Sequence, residues 1–449
     1  MTTVAPSAPA AHSGPRAGRL PGPVRNAYET ELHKLMAQLA TRILVLVCAL
    51  GPVAFAAVLG VQSGTPSDAL FGFWVHSSGF AVSLVILGFA GSWGFPIIAG
   101  VLAGDLFSAE DRHGTWKTIL TRSCTREDVF AGKLLAVGTF VVGLTLVLAA
   151  SSLVAGLVLV GPHALVNLSG TLSSPGRMLA LTVVSWLISL LPVLAYTSLA
   201  ILISLASRNG ILGVLGPLLV ALITQLLDLI GKGVIVHELL IGSAFDGWHG
   251  LFTSHPFFGQ VLIGSLVSVA WIAACLLASW RIMRRRDFLA GTSGQGPSWT
   301  APIKVVAISA VVIAALAFGC GIGPTGVTAY RVAYAIGQEF NNVTLLQQRL
   351  IGRSVPPNAR LYVQPQCNRR GAKAIGPGDW NCTVYVYLPQ ANSVPYQLTS
   401  VEYDVSVQYN GCYKAQSPPA FLGGQTMLDA AGRNVANPLF IVYGCFNVL

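Results

Sequence analysis

The sequence predicts an all-α polytopic membrane protein: a six-span unit plus one further span, with a small α+β disulfide-bearing extracytoplasmic domain. Three observations predict it. Of 449 residues, 53% are hydrophobic and only 10% charged, whereas soluble globular chains carry about 25% charged residues. Seven runs are apolar over lengths close to the roughly 20 residues that a helix needs to cross the hydrocarbon. Four of the eight cysteines fall within residues 324–449, an even number in one short segment, as in disulfide-stapled domains outside the cytoplasm. The same hydrophobic content excludes disorder for most of the chain.

In chain order, residues 1–22 are rich in Pro, Ala, Ser and Gly and are expected to be disordered. This basic start is too long and irregular for a cleavable signal peptide. Val24–Arg42 places Tyr28, Leu32, Leu35, Met36 and Leu39 at helical spacing, either as an interfacial amphipathic helix or as an extension of the first span. The expected spans are Ile43–Val61, Phe80–Gly104, Leu134–Gly161, Met178–Ser204, Ile211–Gly231, Phe257–Trp280 and Val305–Gly323. Only the fifth holds a charge, Asp228, which can snorkel or pair with Lys232 one turn on. Gly91, Gly94, Pro96 and Gly100 make the second span bendable. Residues 23–286 form the six-span unit, 287–302 a linker, 303–323 the seventh span and 324–449 the outer domain.

Orientation follows from the positive-inside rule. Sixteen Lys and Arg lie in the N-terminal tail and in the loops on its side, against Arg177 and Lys232 opposite. The N-terminus is therefore expected in the cytoplasm and the C-terminal domain outside. The formal net charge of +10 is concentrated in this asymmetry, which argues against a nucleic-acid partner and for membrane lipid. In the outer domain Thr328–Leu350 reads as a helix. Thr383–Leu388, Leu398–Tyr409 and Pro438–Phe446 read as strands. Its cysteines Cys367, Cys382, Cys412 and Cys445 allow three pairings, the simplest being Cys367–Cys382 and Cys412–Cys445. Cys48, Cys275 and Cys320 lie in spans, as small apolar fillers.

The connection between the second and third spans is the most informative stretch. Ser108 can cap a short helix. Thr125, with Asp128 three residues on, has the form of a cap for the helix entering the third span. Trp116, Ile119 and Leu120 supply an apolar face beside Lys117 and Arg122. On local physics this is an ordinary interfacial helix held down by basic residues.

The order Glu110, Gly114-Thr115, Leu120, Thr125-Arg126 and Lys133 resembles the signature of ABC transporter type-2 permeases, membrane subunits of ABC exporters. In that family the loop forms a coupling helix between the second and third of six spans. The resemblance covers roughly residues 24–286; a proline common in the family is Ser123 here. It implies a coupling role for Glu110, Asp111, Gly114, Thr115, Trp116, Leu120, Thr125, Arg126 and Lys133. Glu110 and Asp111 would meet basic groups of a separate ATPase, and Trp116 would be the apolar anchor. It further implies a re-entrant region within Lys232–Pro256 and a pathway between two permeases, with Trp93, Phe95, Thr224 and Gln225 as lining candidates. The implied partners are an ABC ATPase subunit, a second copy or similar permease, and the lipid of a bacterial plasma membrane.

Other chemistry finds no support in the motifs. There is no Gly-rich loop ending Gly-Lys-Ser/Thr, so ATP and magnesium are expected on the partner, with no cofactor in this chain and no enzymatic activity of its own. His237-Glu238 lacks the second histidine of a zinc-protease motif, Ile241 standing there, and no metal site is expected from His237, His249 and His255. The sequence around Cys320 only loosely resembles a lipoprotein signal. Sequons at Asn167, Asn342 and Asn381 are of a kind that arises by chance. The competing class is a membrane anchor that transports nothing and displays the outer domain as a receptor or binding module.

Overall fold

A computed structural model describes residues 22–62, 66, 68–116, 125–230, 237, 239–285, 326–356, 358–371, 374–388 and 396–448. The expected linker, seventh span, Cys320, Leu120 and residues 1–21 lie outside these.

Helix α1 (Gly22–Ala37) ends before Gln38, whose extended backbone separates it from α2 (Leu39–Val61). The two are distinct helices, which decides against a continuous extension of the first span. One face of α1 packs inward on the bundle. Glu31 and Leu35 are buried and Met36 is exposed, because the Glu31–Leu35 face turns to α6 (Arg126–Leu159). Gly132 of α6 permits this approach, since a Cβ there would stand 2.5 Å from the Ala27 methyl.

The second span runs through α3 (Gly79–Phe89), a π-helical turn (Ala90–Gly94) and α4 (Phe95–Ala103), and the short helix α5 (Ser108–His113) follows it after a turn. The π turn lies just ahead of Pro96, which has no N–H for the helical ladder, so the expected bend takes this form. Then come α6 (Arg126–Leu159), α7 (Pro175–Ile188), α8 (Leu190–Ser207), α9 (Gly210–Ile230) and α10 (Gly259–Arg285). Among the described residues, five helices or helix runs are long and apolar enough to cross a membrane: Leu39–Val61, Gly79–His113, Arg126–Leu159, Pro175–Ser207 and Gly259–Arg285; Gly210–Leu226 is a shorter apolar helix. Between α9 and α10 the expected re-entrant region contains an 11-residue 3₁₀ helix, Gly242–Phe252, with Trp248 and Phe252 buried.

The C-terminal domain packs α11 (Ala329–Leu350) on a five-stranded antiparallel sheet of order β3-β4-β5-β6-β9. The strands are β3 (Tyr362–Arg369), β4 (Gly378–Leu388), β5 (Tyr396–Val407), β6 (Cys412–Gln416) and β9 (Ile441–Cys445). The two-residue pair β1 (Leu165–Val166) and β2 (Leu172–Ser173) belongs to the bundle, and β7 (Thr426–Leu428) pairs with β8 (Asn434–Ala436). Val332, Ile336, Phe340 and Val343 of α11 meet Trp380, Val384, Tyr403 and Val405 in one core. Strands β3 and β6 were not expected. β3 is polar and contains Pro365, tolerable because β3 is an edge strand.

The disulfides are Cys367–Cys382 and Cys412–Cys445. Each joins direct cross-strand neighbours, in β3–β4 and β6–β9. Cys48 and Cys275 are free and buried.

This domain sits on the end of the bundle opposite α1, touching three of its loops. Lys414 pairs with Asp68 at 2.9 Å. Asn342 donates to the Ser169 carbonyl, and Tyr409 donates to Asp246 at 3.0 Å. Arg285 and Gly326, the described residues flanking the expected linker and seventh span, thus stand at opposite ends of the bundle.

One buried acid sets a pH dependence. Glu339 of α11 is 3% exposed and accepts from the Tyr413 hydroxyl at 2.6 Å. Its carboxyl fills the place where a Cβ on Gly444 would stand. Burial drives its pKa well above the carboxylate range, and the Tyr413 bond offsets this only in part. The folded state therefore holds a proton that the unfolded chain releases above about pH 4.3. Stability is fully present below that pH and declines as pH rises toward the folded value. Glu339→Gln should raise the unfolding temperature at pH 7 to 8, with the gain vanishing near pH 4. Thermal unfolding of the full chain across this range checks it; a destabilised variant at pH 8 would mean the carboxylate is ionised.

Candidate functional site

The loop between the second and third spans begins after a turn at Gly104–Phe107. Phe107, not Ser108, occupies the cap position of α5, with no side-chain cap bond. The Ser108 hydroxyl turns to Asp105 at 2.8 Å. Gly114 closes α5 in the left-handed region, φ 65°. At the far side of the loop, Thr125 and Asp128 form the expected capping box, each side chain bonding the other's backbone N–H.

Behind this loop lies a buried ionic network joining three elements. The Lys133 ammonium, from a residue 1% exposed, donates to Glu31 at 2.7 Å, to Glu110 at 3.2 Å and to the Leu106 carbonyl at 3.2 Å. Lys34 reaches Glu110 at 2.5 Å and lies 3.8 Å from Glu31. Thr115 also donates to Glu110. Two cations thus face two carboxylates, and every charge has a partner, which is the condition for tolerating such burial. Glu31 was not singled out by the sequence. Its signal was its place on one stripe of α1, between Tyr28 one turn before it and Leu35 one turn after.

The expected loop residues therefore divide. Glu110, Thr115 and Lys133 come together in the network, and Trp116 stands over its edge, 4% exposed. The Trp116 indole donates to Asp111 at 2.8 Å and stacks on Phe107, centroids 6.3 Å apart. Glu110 and Trp116 are thus held inside the chain, against the expectation that they meet a partner directly. The reason is that Lys133 and Phe107 lie directly beneath them. Arg112, His113, Gly114 and Thr125 are exposed, and Arg126 is half-buried against the Arg284 carbonyl. Leu120 lies outside the described residues.

The four pathway candidates divide as well. Phe95 is fully buried, stacked on Phe245 at 5.2 Å and edge-on to Trp186. Thr224 is buried and donates to the Val220 carbonyl. Both are packed within the bundle. Trp93, 40% exposed, and Gln225, half-buried, reach its surface.

Among the described residues, no group of three or more His, Cys, Asp or Glu side chains is placed to hold a metal ion. His237 stacks on Tyr409. His249, whose pKa burial lowers to about 3, lies 3.4 Å from the Asn410 amide. Asn167 is 5% exposed and its side chain accepts from Ser169 and Thr171, shaping the loop that carries the outer domain.

Residues 28–224 match the family model described as ABC-2 family transporter protein. A comparison with curated proteins finds no match. The matched stretch runs from α1 into α9, and the apolar helices among the described residues fit a membrane permease.

Proposed function

We propose that this chain, proceeding from its ABC-2 transporter match, is the pathway-forming permease of an ATP-binding cassette exporter and takes its energy from a separate ABC ATPase. The observation that carries the reading is the network of Glu31, Lys34, Glu110 and Lys133. It fixes the loop between the second and third spans to α1 and to the start of α6. A displacement applied at the exposed Arg112–Gly114 turn is then passed to two helices through short charged contacts, not dissipated in a free loop. The α1 end faces the cytoplasm in this reading, as its Lys and Arg excess requires, and the disulfide-bearing domain faces outside.

Two copies, or this chain and a similar permease, enclose the pathway. Trp93 and Gln225 are the residues best placed to face it. The buried network and Trp116 act as positioning groups that hold the docking turn. ATP and magnesium belong to the partner. Crosslinking from His113 to a P-loop ATPase in the purified complex tests the proposal.

A further inference from the structure

At the α1 end a cleft of about 370 Å³ opens between the last turns of α8 and α10. Its lining divides by chemistry. Leu205, Ala206 and Ile282 are apolar; Arg208, Arg281 and Arg285 are cationic. The surrounding cations are engaged. Arg112 pairs with Asp105, and Arg284 lies over the Trp280 ring at 4.6 Å and 3.8 Å from Glu127. Among the described residues, Arg208, Arg281 and Arg285 have no carboxylate and no hydrogen-bond acceptor. All three are exposed, while Leu205 is buried.

The backbone is committed to this arrangement. Arg208 closes α8 in the left-handed region, φ 55°, which costs an ordinary side chain energy that glycine would not incur. The negative ends of two helix dipoles favour cations here, yet they satisfy none of the guanidinium hydrogen bonds. Arg208 follows the apolar run Pro175–Ser207, and Arg281 and Arg285 end the run Gly259–Arg285. The cleft therefore lies where the bundle leaves the hydrocarbon and meets headgroups.

We propose that this cleft binds the phosphate of an anionic phospholipid, with the apolar wall against the first carbons of its acyl chains. Three guanidiniums without partners among the described residues match a phosphate diester in charge and donor geometry. Basic pockets between membrane helices at headgroup depth hold acidic lipids. The inference rests on the bundle spanning a membrane and not on the ATPase reading. A free inorganic phosphate shares the charge but not the need for an apolar wall.

The full chain in lipid nanodiscs, probed by exchange of labelled phosphatidylglycerol against phosphatidylcholine, tests it. The native protein should prefer phosphatidylglycerol. Each single Arg→Gln change at 208, 281 or 285 should lower that preference about fivefold, equivalent to about 1 kcal/mol. The triple variant should abolish it, and Arg25→Gln, an exposed cation at the same end, should leave it unchanged. Millimolar inorganic phosphate should not displace the lipid; displacement would make the cleft a free-phosphate site. A triple variant that keeps its lipid preference overturns the proposal. So does one that keeps the preference and loses a co-purifying protein, which would assign the arginines to an acidic protein surface.

Discussion

Lys133→Met should destabilise the chain by about 3–5 kcal/mol, the range expected when one partner of a buried ion pair is removed. Lys133 is the hub: it alone is fully buried and it bonds both carboxylates. Without it, Glu31 and Glu110 remain inside, sharing only Lys34, whose side chain is 40% exposed. Lys34→Met should cost markedly less, because solvent already screens that pair. Adding Glu31→Gln and Glu110→Gln to Lys133→Met should recover much of the loss, since no uncompensated charge is then left buried. Thermal unfolding and the yield of monodisperse protein in detergent give the comparison. Equal losses for Lys133→Met and Lys34→Met would show that the network is hydrated rather than buried.

Removing the Cys412–Cys445 bridge by serine substitution at both positions should unfold the outer domain before the bundle. The bridge closes 33 residues and the other closes 15. Loop-closure entropy then gives roughly 3.7 and 3.0 kcal/mol. The 412–445 bridge has the larger effect because it holds β9, whose Ile441 and Tyr443 also belong to the core shared with the bundle. Limited proteolysis should cut residues 326–448 in the variant and leave the region from Gly22 to Arg285 intact. A variant with unchanged unfolding temperature and the native cleavage pattern would show that packing alone holds this sheet.

The features legible in the sequence were local ones. Apolar runs marked the helices, Thr125 and Asp128 marked a cap, and four clustered cysteines marked the stapled domain. The bend at Pro96 was legible too, though not its π-helical form. What escaped depends on contacts between distant residues. Glu31 and Lys133 are 102 positions apart and Lys34 and Glu110 are 76 apart, so no periodicity could show that these charges meet. Trp116 was expected, on an apolar face with Ile119 and Leu120, to anchor a partner; Phe107, nine residues earlier, stacks on it within the chain. Phe95 likewise read as pathway-facing until Phe245 supplied its stacking partner. The docking of the outer domain rests on pairs such as Asp68–Lys414, 346 residues apart.

The most direct test of the permease reading is site-specific photocrosslinking in the complex purified from cells with the full-length chain. One crosslinker replaces His113 on the exposed turn of the docking loop, and another replaces Arg433 in the outer domain. If the chain is an exporter permease with its α1 end in the cytoplasm, His113 should crosslink to a P-loop ATPase and Arg433 should not. A crosslink to an ATPase from Arg433, or none from His113 in a complex active in ATP hydrolysis, would contradict it.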